Sequence, residues 1–395
     1  MPYSPKKRGY TILLATIILA VAGCLHPDEE ISIQPLPAME GRTDPGLGPG
    51  TRPLSSGPGY KGSPSWSPRG GRIAFTVDGY VVDKSVTAGD LRRWTTRDFG
   101  AEEVEWTSKR GLMILGAPPL GAPSEASRVV YRTSSEEGSL GVEEITTNVL
   151  AMSPGPRGGM IVALERGDSG SGLALMRPNG MIDRVYTSDI EGHVTGISLS
   201  PDGRMAALAV RTLGDPFELR VVDLRKGEHR RIARLEEGLN IFGAPQWTKE
   251  GAYYVAGRAE ASGGAALYDL YHVPPGSDAP RSAPGVGKDF VAASIRVSPD
   301  GERLAVIGRL NPQSPTNLYV LDLAAGELEA VTTNEDMEIK TGQDDLAWSP
   351  GGESVAIVAR GALSGEPSVH AAPASELLDD FYNLYEVPVE EGAPR

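Results

Sequence analysis

The 395 residues carry 52 acidic and 38 basic side chains, a formal net charge of −14, and 40% of them are hydrophobic. A sizeable core is therefore possible, while the Lys/Arg stripe that neutralises nucleic-acid phosphates is missing, so no nucleic-acid partner is expected. With 49 Gly and 32 Pro the chain must turn often, which favours strands over long helices. Acidic pairs such as Glu102-Glu103 and Asp379-Asp380 read as solvated surface. The sole cysteine, Cys24, excludes an internal disulfide.

The chain opens with Lys6, Lys7 and Arg8, followed by an apolar run from Thr11 to Ala22 that is short for a membrane-spanning helix. It ends in Val21-Ala22-Gly23-Cys24, which resembles the bacterial lipobox. The resemblance implies cleavage before Cys24 and lipid attachment to its thiol. Residues 1–23 are then a lipoprotein signal peptide. Residues 25–59 hold seven Pro and six Gly, a composition that reads as a flexible tether over 24–50. Leu25 stands where an Asp would suggest inner-membrane retention. The expectation is export, with a lipid anchor in the cell membrane or outer membrane, facing the periplasm or exterior.

From residue 51 onward one pattern recurs: a large apolar residue, a turn rich in Ser, Pro and Gly, then an apolar strand. It starts at Trp66, Trp106, Met152, Leu199, Trp247, Val297 and Trp348, at intervals of 40, 46, 47, 48, 50 and 51 residues. Ser-Pro-Asp-Gly stands at 200–203 and 298–301. Pro presets φ, Ser and Asp bond the backbone, and Gly takes positive φ. Each copy has a second half of two strands about a turn, as in Leu219–Ile232 and Leu318–Val331. Four strands per unit and a period near 45 residues predict an all-β fold: one β-propeller of seven four-stranded blades over 51–395. Six blades is the alternative, because the unit at 101–145 is the least regular. The last unit ends one strand short. Thr51-Arg-Pro-Leu-Ser55 is expected to complete it as an outermost strand, where Pro53 is tolerated.

These repeats resemble the WD-like propeller repeat of TolB-type periplasmic proteins, with Ser-Pro-Asp-Gly before an apolar strand. Gly192-His193 and Val222-Asp223 resemble parts of a WD repeat in one unit. The resemblance covers 60–395 and implies the fold rather than an activity.

Motifs for chemistry are sparse. His193, His229, His272 and His370 fall at unmatched places, and neither a zinc nor a calcium motif occurs, so no metal or other cofactor is expected. Gly167-Asp168-Ser169-Gly170 resembles the serine motif of trypsin-like proteases but lacks its partners and reads as a loop. No catalytic residue is assigned. The second strand ends in Arg in five units, at Arg166, Arg211, Arg258, Arg309 and Arg360, seven or eight residues after the turn glycine. These arginines fall on the face carrying the longer second-to-third-strand loops. Either they repeat a structural bond or they form a ring of charge for an anionic envelope polymer or an envelope protein. The expectation is a monomeric, membrane-anchored, non-catalytic binding or assembly module. The alternative is a propeller enzyme, hydrolase or lactonase-like, with its site in the channel mouth. A cluster of carboxylates or histidines in the channel favours the enzyme.

Overall fold

A computed structural model of the chain describes residues 47–389, apart from 56–58, 97–98, 108–110, 119–127, 137–138, 156–158, 168–169, 178, 180, 201, 259–266, 335–336, 343 and 362–381. The expected signal peptide, Cys24 and most of the tether lie outside the described residues, as do Asp168, Ser169, His370 and the Asp379-Asp380 pair.

The described elements are all strands, arranged as seven sheets in chain order. Blade 1 holds β2 (Lys61–Trp66), β3 (Arg72–Val77), β4 (Tyr80–Ser85) and β5 (Leu91–Arg93) behind a short β1 (Arg52–Pro53). Blade 2 holds β6 (Ala101–Trp106), β7 (Leu112–Gly116), β8 (Val129–Glu136) and β9 (Ser139–Thr147), so the least regular unit is a full blade. Blade 3 runs from β10 (Val149–Pro154) through β11 (Met160–Arg166) and β12 (Gly170–Met176) to β13 (Ile182–Glu191). Blade 4 is β14 (His193–Leu199), β15 (Met205–Arg211), β16 (Glu218–Asp223) and β17 (His229–Arg234). Blade 5 is β18 (Leu239–Thr248), β19 (Gly251–Arg258), β20 (Leu267–Val273) and β21 (Arg281–Ser282). Blade 6 is β22 (Val291–Val297), β23 (Arg303–Arg309), β24 (Asn317–Asp322) and β25 (Glu327–Ala330). In blade 7 the inner strand is split into β26 (Met337–Ile339) and β27 (Leu346–Trp348), both paired to β28 (Ser354–Gly361). β29 (Asn383–Pro388) follows, and β1 is the outermost strand.

The ring closes through that last pairing. Arg52 lies opposite Glu386 and Pro53 opposite Tyr385. Leu54 N donates to Leu384 O at 2.8 Å, and Leu384 N donates to Ser55 Oγ at 2.8 Å. Packing starts earlier than the boundary at 51, because Leu47 is fully buried among residues of blades 6 and 7. Seven apolar clusters fill the seven seams between neighbouring blades, including the seam between blades 7 and 1.

The turns show why the repeat folds this way. In Ser-Pro-Asp-Gly of blade 4, Ser200 Oγ accepts from Arg204 N at 3.1 Å and Met205 N at 2.9 Å, and donates to Asp202 at 2.6 Å. Gly203 closes the turn at φ +65°, a conformation costly for any residue with a Cβ. In blade 6, Ser298 likewise receives Arg303 N, at 2.9 Å.

Each of blades 1 to 6 has a register shift in its inner strand: at Gly62/Ser65, Ala101/Glu103, Val149/Ala151, Val194/Gly196, Phe242/Gln246 and Ala292/Ser294. A bulge bends the strand and re-aims the following side chains. In blade 7 the irregularity is larger. Ile339 pairs with Ala359 and Leu346 with Ile357, so the stretch between Ile339 and Leu346 faces Val358 alone.

Candidate active site in the channel

The inner strands end at the short turns, and there they enclose the larger cavity, of about 520 Å³. Its wall takes the residue just before the large apolar one from six blades: Ser65, Glu105, Ser198, Gln246, Arg296 and Ala347. The alternation of a strand explains this, since one face carries these side chains while Trp66, Trp106 and Trp348 are packed almost wholly into the protein. Neighbouring inner strands are stitched together by side chains. Trp66 Nε1 donates to Ala347 O at 3.2 Å, and Trp348 Nε1 to Arg296 O at 2.9 Å. Gln246 Oε1 accepts Val297 N at 3.1 Å.

Charge is concentrated on one side of the channel, with Asp202 of blade 4 at the turn on the other. The inner strands of blades 3 to 5 contribute Ser153, Ser198 and Gln246. Blade 2 contributes Glu103 and Glu105 on one face of β6, and blade 6 contributes Arg296. The interrupted inner strand of blade 7 contributes Lys340, Asp344 and Asp345. Arg296 reaches Asp344 at 3.8 Å, and Lys340 holds Asp345 at 2.9 Å. Asp344, Asp345 and Lys340 line a second cavity of about 280 Å³ by the opposite mouth, with Tyr60 and Asp78.

Desolvation dominates these acids. Burial pushes the Glu103 carboxyl well above the usual range, and Asp344 and Glu105 push it further, against Arg296 and Arg128. Asp344 is raised in the same way, opposed by Arg296, but with 40% of its side chain exposed to the channel the rise is the more weakly held. Glu105 is raised by burial, but Arg296 and the Ser65 hydroxyl at 2.8 Å counter the rise. Beside the second cavity, burial lowers the Lys61 ammonium to about 8, against the pull of Asp78. The cluster thus sets carboxyls of raised proton affinity beside a guanidinium, the setting in which acid–base chemistry is tuned. Among the described residues no group of three or more His, Cys, Asp or Glu is placed to hold a metal ion.

These positions correct the reading of Glu102-Glu103 as a solvated pair. Glu102 is exposed at the rim of the second cavity, whereas Glu103, after the bulge at Ala101/Glu103, is half-buried and feels Asp344, Glu105 and Arg296. The signal available in the sequence was alternation: Glu103, Glu105 and then Trp106 at the end of an inner strand.

The five recurring arginines share one place, the end of the second strand on the long-loop face. The position repeats but the partner does not. Arg309 Nε donates to Thr316 Oγ1 at 2.9 Å, Arg258 lies 3.8 Å from Glu236, and Arg360 pairs with Glu338. Arg211 lies over the Phe217 ring at 5.7 Å, and Arg166 occupies the space left by Gly172. Two histidines make local contacts: His229 lies 3.4 Å from Asp189, and His272 is stacked on Tyr253. His193 Nε2 is buried and finds no partner among the described residues.

No family model matches the sequence, and no curated protein matches it either. Solved structures do match. A puromycin hydrolase S511A mutant complexed with PGG is 16% identical with a TM-score of 0.55, over 78% of this chain and 51% of that one. This chain therefore spans about half of that protein's length. Oligogalacturonate lyase from Vibrio parahaemolyticus is 13% identical with a TM-score of 0.52, over 86% and 94% of the two chains. TolB from Acinetobacter baumannii is also among the matches, 13% identical with a TM-score of 0.42, over 81% and 77%. The propeller of seven four-stranded blades expected from the repeats is the fold observed. The expectation of a non-catalytic module is corrected. The channel walls carry a carboxyl cluster, and the ring is shared with two proteins named as enzymes.

Proposed function

We propose that the protein is an enzyme whose carboxyl cluster performs general acid–base catalysis, hydrolysis being the reaction class. A small polar substrate enters from the short-turn mouth. The observation that carries this reading is the convergence of Glu103, Glu105 and Asp344 on Arg296 along one side of the channel. An ionised carboxylate takes a proton from water, whose oxygen then attacks. A neutral carboxyl gives its proton to the leaving group, and Arg296 offsets the charge that develops on oxygen. The wall of Ser153, Ser198 and Gln246 leaves room for the body of the substrate. The test is turnover of a panel of esters, lactones and glycosides by the full chain. A bell-shaped pH dependence is expected, and Glu103→Gln or Arg296→Ala should lower the rate by roughly 10²–10⁴-fold. No turnover across the panel, or variants as fast as the parent, would overturn the reading.

The same proposal places the enzyme outside the cytoplasm, held by lipid on Cys24. Val21-Ala22-Gly23-Cys24 after a basic start and an apolar run supports this. Cys24→Ala should abolish incorporation of labelled fatty acid and leave the product uncleaved or soluble. A variant still lipid-labelled and membrane-bound would refute it.

A further inference from the structure

We propose that Ser65 is a positioning residue that divides the roles of the two glutamates on β6. It holds Glu105 as the carboxylate and base, and leaves Glu103 to carry the proton as the acid. This rests on the channel reading above and deepens it.

The argument is one of hydrogen-bond direction. A serine hydroxyl has a single proton to give. Trp106 N donates to Ser65 Oγ at 3.1 Å, so the backbone of blade 2 occupies an acceptor site on that oxygen. Ser65 Oγ lies 2.8 Å from Glu105 Oε2, and among the described residues it reaches no other acceptor. The hydroxyl proton therefore points at Glu105, which must accept it. A protonated Glu105 donating back would leave the serine proton with no protein acceptor on the cavity wall, a costly arrangement for a hydroxyl so little exposed. Ser63, two residues earlier, accepts Val104 N at 3.0 Å in the same way. No hydrogen bond reaches the Glu103 carboxyl among the described residues.

The charged neighbours reinforce the split. Glu105 is faced by Arg296 from β22 and Asp344 from the interrupted inner strand of blade 7. Glu103 is faced by Asp344, by Glu105 on its own strand, and by Arg296 and Arg128. Both glutamates share the arginine, so the difference in bonding lies in the hydroxyl. Ser198 marks the same place in blade 4 and accepts Trp247 N at 3.2 Å, beside Gln246 rather than a glutamate. Accepting the next blade's N–H is thus a structural task common to both serines. Donating to a carboxylate belongs to Ser65.

The test needs no substrate. In the full chain labelled with ¹³C at glutamate side chains, each carboxyl is followed by NMR through pH, with Glu103→Gln and Glu105→Gln giving the assignments. Glu105 is expected to ionise first. Ser65→Ala should raise its midpoint by about one pH unit. Ser65→Thr should restore it, and Ser198→Ala should leave it in place. An unmoved Glu105 in Ser65→Ala, or Glu103 ionising first in the parent, would overturn the proposal. If the order holds and the substrate panel shows no turnover, the enzyme reading fails by itself. If turnover is found and the order does not hold, the assignment fails by itself.

Discussion

Glu103 shows how one half-buried carboxyl ties stability to pH. Its proton is held above the usual glutamate range, first by burial and then by Asp344 and Glu105. The folded state thus keeps a proton that the unfolded chain releases. Its contribution is present below the ordinary glutamate range and is lost as pH rises through the raised value. Melting temperature is expected to fall as pH rises from the ordinary glutamate range through the raised one, and Glu103→Gln should flatten that slope. The variant should also be the more stable one at neutral pH, because an amide carries no charge to desolvate. The arginines make a second prediction at this scale. Arg309→Ala removes a half-buried bond to Thr316 and should cost about 0.5–1.5 kcal/mol in urea unfolding. Arg258→Ala removes an exposed pair and should cost about 0–1 kcal/mol. Equal losses at both would mean that the recurrence copies one bond after all. The recurrence itself was readable because Arg follows the turn glycine at nearly constant offset. Its partners were not, because they come from loops of unrelated length.

At the scale of elements, the turns were legible and the bulges were not. Ser-Pro-Asp-Gly announces its geometry through residue chemistry, and Ser200 and Gly203 behave as their types dictate. Bulges at Ala101/Glu103 and Ala292/Ser294 leave no such mark, since an extra residue in a strand needs no special side chain. Asp344 was hidden for a related reason. It belongs to an inner strand that is interrupted, so no repeat position predicts it. The closing strand was legible from what the last unit lacked. Its energetics should follow burial rather than charge. Leu47→Ala should cost about 2–5 kcal/mol, as for a buried leucine with little room to collapse. Arg52→Ala, which loses a half-exposed pair with Glu386, should cost about 0–1 kcal/mol. Urea unfolding of the two variants checks the order, and a larger loss at Arg52 would contradict it.

For the whole molecule, seven similar seams mean that no blade is buried on one side alone. Deleting 47–55 exposes the edge of β29 and opens the seam between blades 7 and 1. It should lower the melting temperature, and a truncated chain that melts like the parent would show that closure lies elsewhere. The ring and its chemistry are also written in different parts of the repeat. Apolar side chains between blades hold the circle, while the lumen reads only the few inner-strand positions that face it. Three of the charged groups come from the blade in which the two ends of the described chain meet. A strand interrupted there can change what the channel does without changing how the circle closes. Variation in the stretch between Ile339 and Leu346 is therefore the least costly route by which this scaffold could exchange one chemistry for another.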